Sequence, residues 1–163
     1  AMGSADPLAR LLARAEGLAP GDTDLTWTRL TPWRALLAAA LDTHQAPVTG
    51  ATVEAAANNA AGLLLAAWLG SRLGLDADFV SSGGPGITAV RLATEDGDIV
   101  LARGDGKMAT FTGPRTPPRS VALRRREISA LITEELRRLD TDHVFQQSMA
   151  CLASNVHRHN GEG

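Results

Sequence analysis

Apolar positions recur with two different periods along this chain, and the places where the period changes mark its elements. After Asp6-Pro7, a cap followed by a first-turn proline, Leu8, Leu11, Leu12 and Ala15 repeat at helical spacing and Gly17 offers a stop. The loop from Ala19 to Asp24 reads as a linker. A second helix is expected from about Pro32 to Leu41, with Thr31 as its cap, Pro32 at the first helical position and Leu36, Leu37, Ala40 and Leu41 as its apolar stripe. Pro47 and Gly50 break the chain, and Thr52 to Ala57 reads as a short strand. Asn58 or Asn59 then caps a third helix. Leu64, Ala67 and Trp68 share one of its faces, Leu63 and Leu69 flank them, and Gly74 ends it. A helix so apolar around its whole circumference belongs in the interior.

From Asp78 to Leu123 the period drops to two. Ile87 to Ala93 alternates, Glu95-Asp-Gly-Asp98 is a hairpin turn, and Ile99 to Arg103 returns. Gly104-Asp-Gly106 is a second turn, Met108 to Thr112 a third strand and Arg119 to Leu123 a fourth. The helical period resumes at Ile128, Leu131, Ile132, Leu136 and Leu139. A last helix, capped by Asp140 or Asp142, turns Phe145, Met149, Leu152 and Val156 inward. These runs predict an α+β fold: an antiparallel β-sheet, arranged as a meander, with helices packed mainly on one face. Residues 1–4 read as a cloning remnant, 5–24 as an N-terminal helix and linker, 25–156 as a single domain and 157–163 as a flexible tail.

Composition narrows the function. The 163 residues suit one domain, and 44% hydrophobic content, much of it alanine, suits a closely spaced helical core. A formal net charge of −2 lacks the basic excess of a nucleic-acid binder. Cys151 is the only cysteine, so no internal disulfide forms and a reducing cytoplasm is the expected compartment. The longest apolar run, Ala60 to Leu69, is too short to span a bilayer, and no membrane association is expected. His157 and His159 lack partners at metal-ligand spacing, and Ser81-Ser-Gly-Gly-Pro-Gly86 lacks the Gly-Lys-Ser/Thr ending of a nucleotide loop. No Gly-x-Ser-x-Gly motif occurs and there is no tyrosine. The expectation is a non-enzyme without catalytic residues, cofactor or metal.

Two segments carry candidate chemistry. The first is Leu25 to Arg34, which holds two of the three tryptophans where aromatic content is only 4%. Trp27, Arg29, Trp33 and Arg34 read either as a partner- or phosphate-binding edge or as two core anchors with arginines stacked on them. The second is Arg124, Arg125 and Arg126, preceded by Arg115 and Arg119. The cluster reads either as an anion or acidic-partner site or as a solvated helix start with Glu127 beside it; cations at a helix start oppose the helix dipole, which lends the binding reading some support.

The motif Trp-Thr-Arg-x-Thr-Pro-Trp-Arg at 27–34 resembles the bacterial glucose-6-phosphate dehydrogenase assembly proteins (OpcA-like) of actinobacteria and cyanobacteria, at the opening of their C-terminal half. Leu63 to Gly74 and Glu134 to Phe145 follow in the order that likeness requires. The resemblance implies an excised C-terminal domain, with glucose-6-phosphate dehydrogenase as partner. It implies a non-enzymatic role in assembling or activating that enzyme, and it carries over no binding residue. Two other readings stay open: a domain sensing a sugar phosphate or nucleotide through its arginines, and an uncharacterised enzyme.

Overall fold

The computed structural model describes residue 13 and residues 25–104, 108–123 and 143–160, with side chains given for all but residue 25 and 155–160. The expected helix from Asp6, the Ala19–Asp24 linker, part of the Gly104–Gly106 turn and the expected helix over 128–139 lie outside the described residues.

A short helix α1 (Leu25–Arg29) leads into α2 (Thr31–Thr43). The expected cap at Thr31 does not form. Leu30 already has helical torsions (φ −81°, ψ −13°), and its carbonyl accepts from the Arg34 N–H, so the chain passes from α1 to α2 without the extended residue a side-chain cap requires. Pro32 does lie in the first turn, as expected.

Strand β1 (Val48–Ala55) begins four residues earlier than the sequence pattern suggests. Helix α3 (Ala60–Leu73) follows, with both ends as read from sequence. The Asn59 side chain accepts from the Gly62 N–H at 2.8 Å, and Gly74 closes the helix in the left-handed conformation at φ +67°. A strand that the alternation did not reveal, β2 (Ala77–Ser81), then pairs parallel to β1. The remaining strands are β3 (Ile87–Thr94), β4 (Ile99–Ala102), β5 (Met108–Gly113) and β6 (Thr116–Ala122). They form the expected antiparallel meander, and β3 also pairs antiparallel with β1. The sheet order is β2-β1-β3-β4-β5-β6. Strand β6 starts three residues before the expected Arg119, because Thr116 pairs with Gly113 directly across the turn. Helix α4 (His143–Asn160) continues past His157, where the flexible tail was expected to begin.

Register determines which residues meet. Ala51 lies opposite Ala77 and Leu92, Val53 opposite Phe79 and Val90, and Leu101 opposite Val90 and Phe111. These side chains therefore share one face of the sheet, and it is the buried one: Val53, Val90 and Leu92 are fully enclosed. The opposite face carries Thr52, Glu54, Arg91 and Thr110. It includes an exposed Glu54–Arg91 ion pair at 2.7 Å, which raises the Arg91 pKa above its ordinary value through the hydrogen bond from Arg91 to Glu54. Being exposed, that pair adds at most about 1 kcal/mol.

Helix α3 lies on the buried face across β1 and β2, and α4 packs over it from the other side. That sandwiching explains why residues all round α3 are buried, among them Leu64, Leu65, Ala67, Trp68 and Leu69. Burying a leucine side chain contributes roughly 1.5–3 kcal/mol. Helix α2 adds Trp33, Leu37 and Ala40 to the same core. Its Trp33 lies near Arg103 beyond the end of β4, and His44 at its C-terminal end is 3.2 Å from Thr94 at the end of β3.

The contact of α3 with the sheet depends on Gly62. A Cβ there would come within 2.8 Å of the Ala55 methyl and 2.9 Å of the Phe79 ring. Replacing a helical glycine with alanine normally gains about 1 kcal/mol. Here the Ala55 methyl is fixed to β1 and cannot yield, so overpacking costing about 1–3 kcal/mol wins. Gly62→Ala is expected to lower unfolding free energy by about 1–2 kcal/mol in urea titration.

Candidate functional site

The Trp-Arg block folds into α1 and the first turn of α2. Trp27 and Trp33 are buried, at 2% and 3% exposure. Trp27 meets Phe145 of α4 with ring centroids 5.3 Å apart and planes inclined at 43°. The Arg34 guanidinium lies over the Trp27 ring, 3.6 Å from its centroid, and one of its nitrogens donates to the Thr31 hydroxyl at 3.2 Å. Thr31, read from sequence as a helix cap, instead holds the arginine that covers Trp27. Arg103 plays a similar part at the other tryptophan: its guanidinium is 5.3 Å from the Trp33 ring centroid and donates to the Ile87 carbonyl at 2.8 Å.

Of the two sequence readings of the block, the structure realises core anchors with stacked arginines for Trp27, Trp33 and Arg34. Arg29 alone of the four is exposed, at the C-terminal end of α1, where a cation complements the helix dipole. Arg124, Arg125 and Arg126 lie outside the described residues.

Arg115 and Arg119, which precede that cluster in sequence, are far apart in role. Arg119 on β6 lies over Phe111 at 5.2 Å. Arg115 stands in the two-residue turn between β5 and β6 with φ +60°, a left-handed conformation. Proline fixes the preceding torsion near −65°, so Pro114-Arg115 makes a turn of the kind that takes glycine or asparagine at its second central position. An arginine there costs about 1–2 kcal/mol relative to glycine. Its side chain is 83% exposed and reaches Asp96, in the β3–β4 turn, at 3.5 Å. An exposed pair at that distance contributes less than about 1 kcal/mol, which does not offset the backbone cost. Pro114 also packs near Gly97, where an added Cβ would be 3.6 Å from the proline ring, so the two hairpin tips brace each other. The sequence reading did not locate this turn, because it began the fourth strand at Arg119. Pro114-Arg115 between two runs of strand-forming residues was the available signal.

Among the described residues no three His, Cys, Asp or Glu side chains gather as a metal site would require. No helix among them is long and apolar enough to cross a membrane. Ser82 to Gly86 serves as a braced strand connection: Ser82 and Thr88 hydroxyls are 2.7 Å apart, and the Ala56 N–H donates to the Gly86 carbonyl. Cys151 is half-buried and faces Gly70 of α3.

A family model described as the C-terminal domain of the glucose-6-phosphate dehydrogenase subunit matches residues 20–149. The chain belongs to this family. The match runs from the segment before α1 to Met149 on α4, so it takes in the Trp-Arg block, the whole sheet and the start of the helix that closes on Trp27. No curated protein matches the chain. The family is described by its place in the dehydrogenase, which is a role of association.

The stacked geometry separates the two arginines of the block. Arg34→Ala removes the cover from Trp27 and is expected to lower stability by about 1 kcal/mol and to shift tryptophan emission to longer wavelength. Arg29→Ala is expected to change stability by less than about 0.5 kcal/mol, with emission unchanged. Denaturant titration followed by fluorescence reads both.

Proposed function

We propose that this domain binds glucose-6-phosphate dehydrogenase in the cytoplasm and favours its active state, without catalysing a reaction itself. Membership of the dehydrogenase-associated family across most of the chain carries this reading. The arrangement of the block is consistent with it. The tryptophans and Arg34 build the scaffold, which leaves Arg29 as the exposed cation held beside a rigid aromatic core. Arginine is well suited to a protein interface, because its planar guanidinium pairs with carboxylates through two parallel hydrogen bonds and stacks on aromatic faces. Arg124, Arg125 and Arg126 belong to the proposal as a second basic contact.

Such a domain acts by differential affinity. It shifts the dehydrogenase only as far as it prefers the active form over the inactive one. A tenfold preference corresponds to about 1.4 kcal/mol. The test is dehydrogenase activity at fixed enzyme concentration with increasing amounts of this chain. Activity is expected to rise and saturate, and Arg29→Ala or neutralisation of Arg124 to Arg126 to move the half-saturation concentration upward by about threefold or more. A dehydrogenase rate that stays flat with added chain, and also with the longer protein that contains it, contradicts the proposal.

A further inference from the structure

We infer that the open face of the sheet is the interface of a dimer of this chain, with two copies packed sheet against sheet and Glu54 of each beside Arg91 of the other. The described helices bury the opposite face, and Arg91 and Thr110 on this one are exposed. The inference does not depend on association with the dehydrogenase.

The apolar character of the face is the first observation. Val80 and Met108, at 46% and 43% exposure, are the large hydrophobic side chains left exposed among the described residues. Register puts both on this face: Val80 lies opposite Glu54, and Met108 is two residues from Thr110 on β5. Val100, opposite Arg91, and Ala102, opposite Thr110, stand between them on β4. A sheet face that meets water is ordinarily polar, whereas here apolar positions run from β2 to β5. With side chains as small as these, a second sheet can approach to the spacing of about 10 Å found between packed sheets.

Charge supplies the second observation, and it selects the occupant. Glu54 and Arg91 lie on β1 and β3, the second and third strands in the sheet order, and pair at 2.7 Å with side chains 26% and 50% exposed. A patch of one sign would call for an unlike partner of the opposite sign. A cation and an anion side by side are matched by their own copy: a two-fold axis between the sheets sets Glu54 near Arg91 in both directions. Each guanidinium has donors enough to bridge two carboxylates, and loss of solvent strengthens both contacts. Asp78 shares the face, opposite Thr52, but it stands on the edge strand β2, at the rim, where a charge stays solvated.

The area is sufficient for a weak dimer. Six strands about 4.8 Å apart, with roughly five residues each at about 3.3 Å per residue, give a footprint of roughly 450 Å² per copy. Two copies together bury on the order of 1,000 Å², which is where specific interfaces begin.

Sedimentation equilibrium on the wild-type chain is expected to show a mass that rises with concentration toward that of two copies. Glu54→Arg leaves two cations on the face and Arg91→Glu leaves two anions. Each variant alone is expected to dimerise about tenfold more weakly or worse, and an equimolar mixture of the two to recover the dimer, because unlike faces complement each other. Exposed charges contribute little to folding, so melting temperatures are expected to stay within about 4 °C of wild type. Thr110→Arg, which adds bulk and charge at a separate exposed position of the face, is expected to weaken the dimer as well, and it keeps the test decisive if a Glu54 or Arg91 variant folds poorly. A wild-type chain that stays monomeric at every concentration overturns the inference; if Arg91→Glu then also weakens binding to the dehydrogenase, the face serves the enzyme instead of a second copy. Dimers of unchanged affinity in all three variants place the contact elsewhere and overturn it too. So does a mixture of folded Glu54→Arg and Arg91→Glu chains that fails to dimerise.

Discussion

The fold depends on helix α3 being enclosed from two sides. Its apolar residues have no polar face to turn outward, so the helix is stable only with the sheet beneath it and α4 above it. This requirement organises the rest of the chain. The β1–α3–β2 crossover places two parallel strands under the helix, and the meander extends the sheet away from it. Gly62 lets the helix approach Ala55 and Phe79, and Gly70 lies beneath Cys151 of α4. Small residues on both sides of α3 set the spacing of all three layers, which fits the alanine-rich composition better than an aromatic core would.

The tryptophans serve this layering at its edge. Trp27 lies between Phe145 of α4 and the guanidinium of Arg34, which ties the first described helices to the last one. A motif that stands out in sequence as a recognition surface is therefore mainly a clasp, and its specificity comes from packing. Arg29 stays exposed beside the clasp and takes no part in it.

Much of this architecture was legible in the sequence, for reasons that can be named. Helix α3 was readable because Asn59 and Gly74 bound an uninterrupted apolar block, and local chemistry and tertiary burial agree there. The β3–β4 hairpin was readable from Glu95-Asp-Gly-Asp98. Strand β2 was hidden because Asp76 and Asp78 dilute its pattern and only Ala77 and Phe79 face inward; it is a strand because β1 offers a parallel edge. Helix α1 was hidden by its five-residue length. Within the Trp-Arg block, the division of labour was not legible. Arg34 is seven residues from Trp27, and their stacking depends on α1 running into α2 through the helical Leu30, a continuity that the Thr31-Pro32 start signal conceals. The torsion of Arg115 is likewise a consequence of strand pairing across Gly113 and Thr116, which periodicity alone does not place.

Everything proposed for the function requires that this chain itself associates with glucose-6-phosphate dehydrogenase. Sedimentation velocity on a mixture of the two proteins examines that association without relying on activity. A single faster boundary containing both proteins is expected, reached at a fixed ratio and weakened by high salt because charged groups contribute to the contact. Two independent boundaries at every ratio, with the chain sedimenting as it does alone, would contradict it.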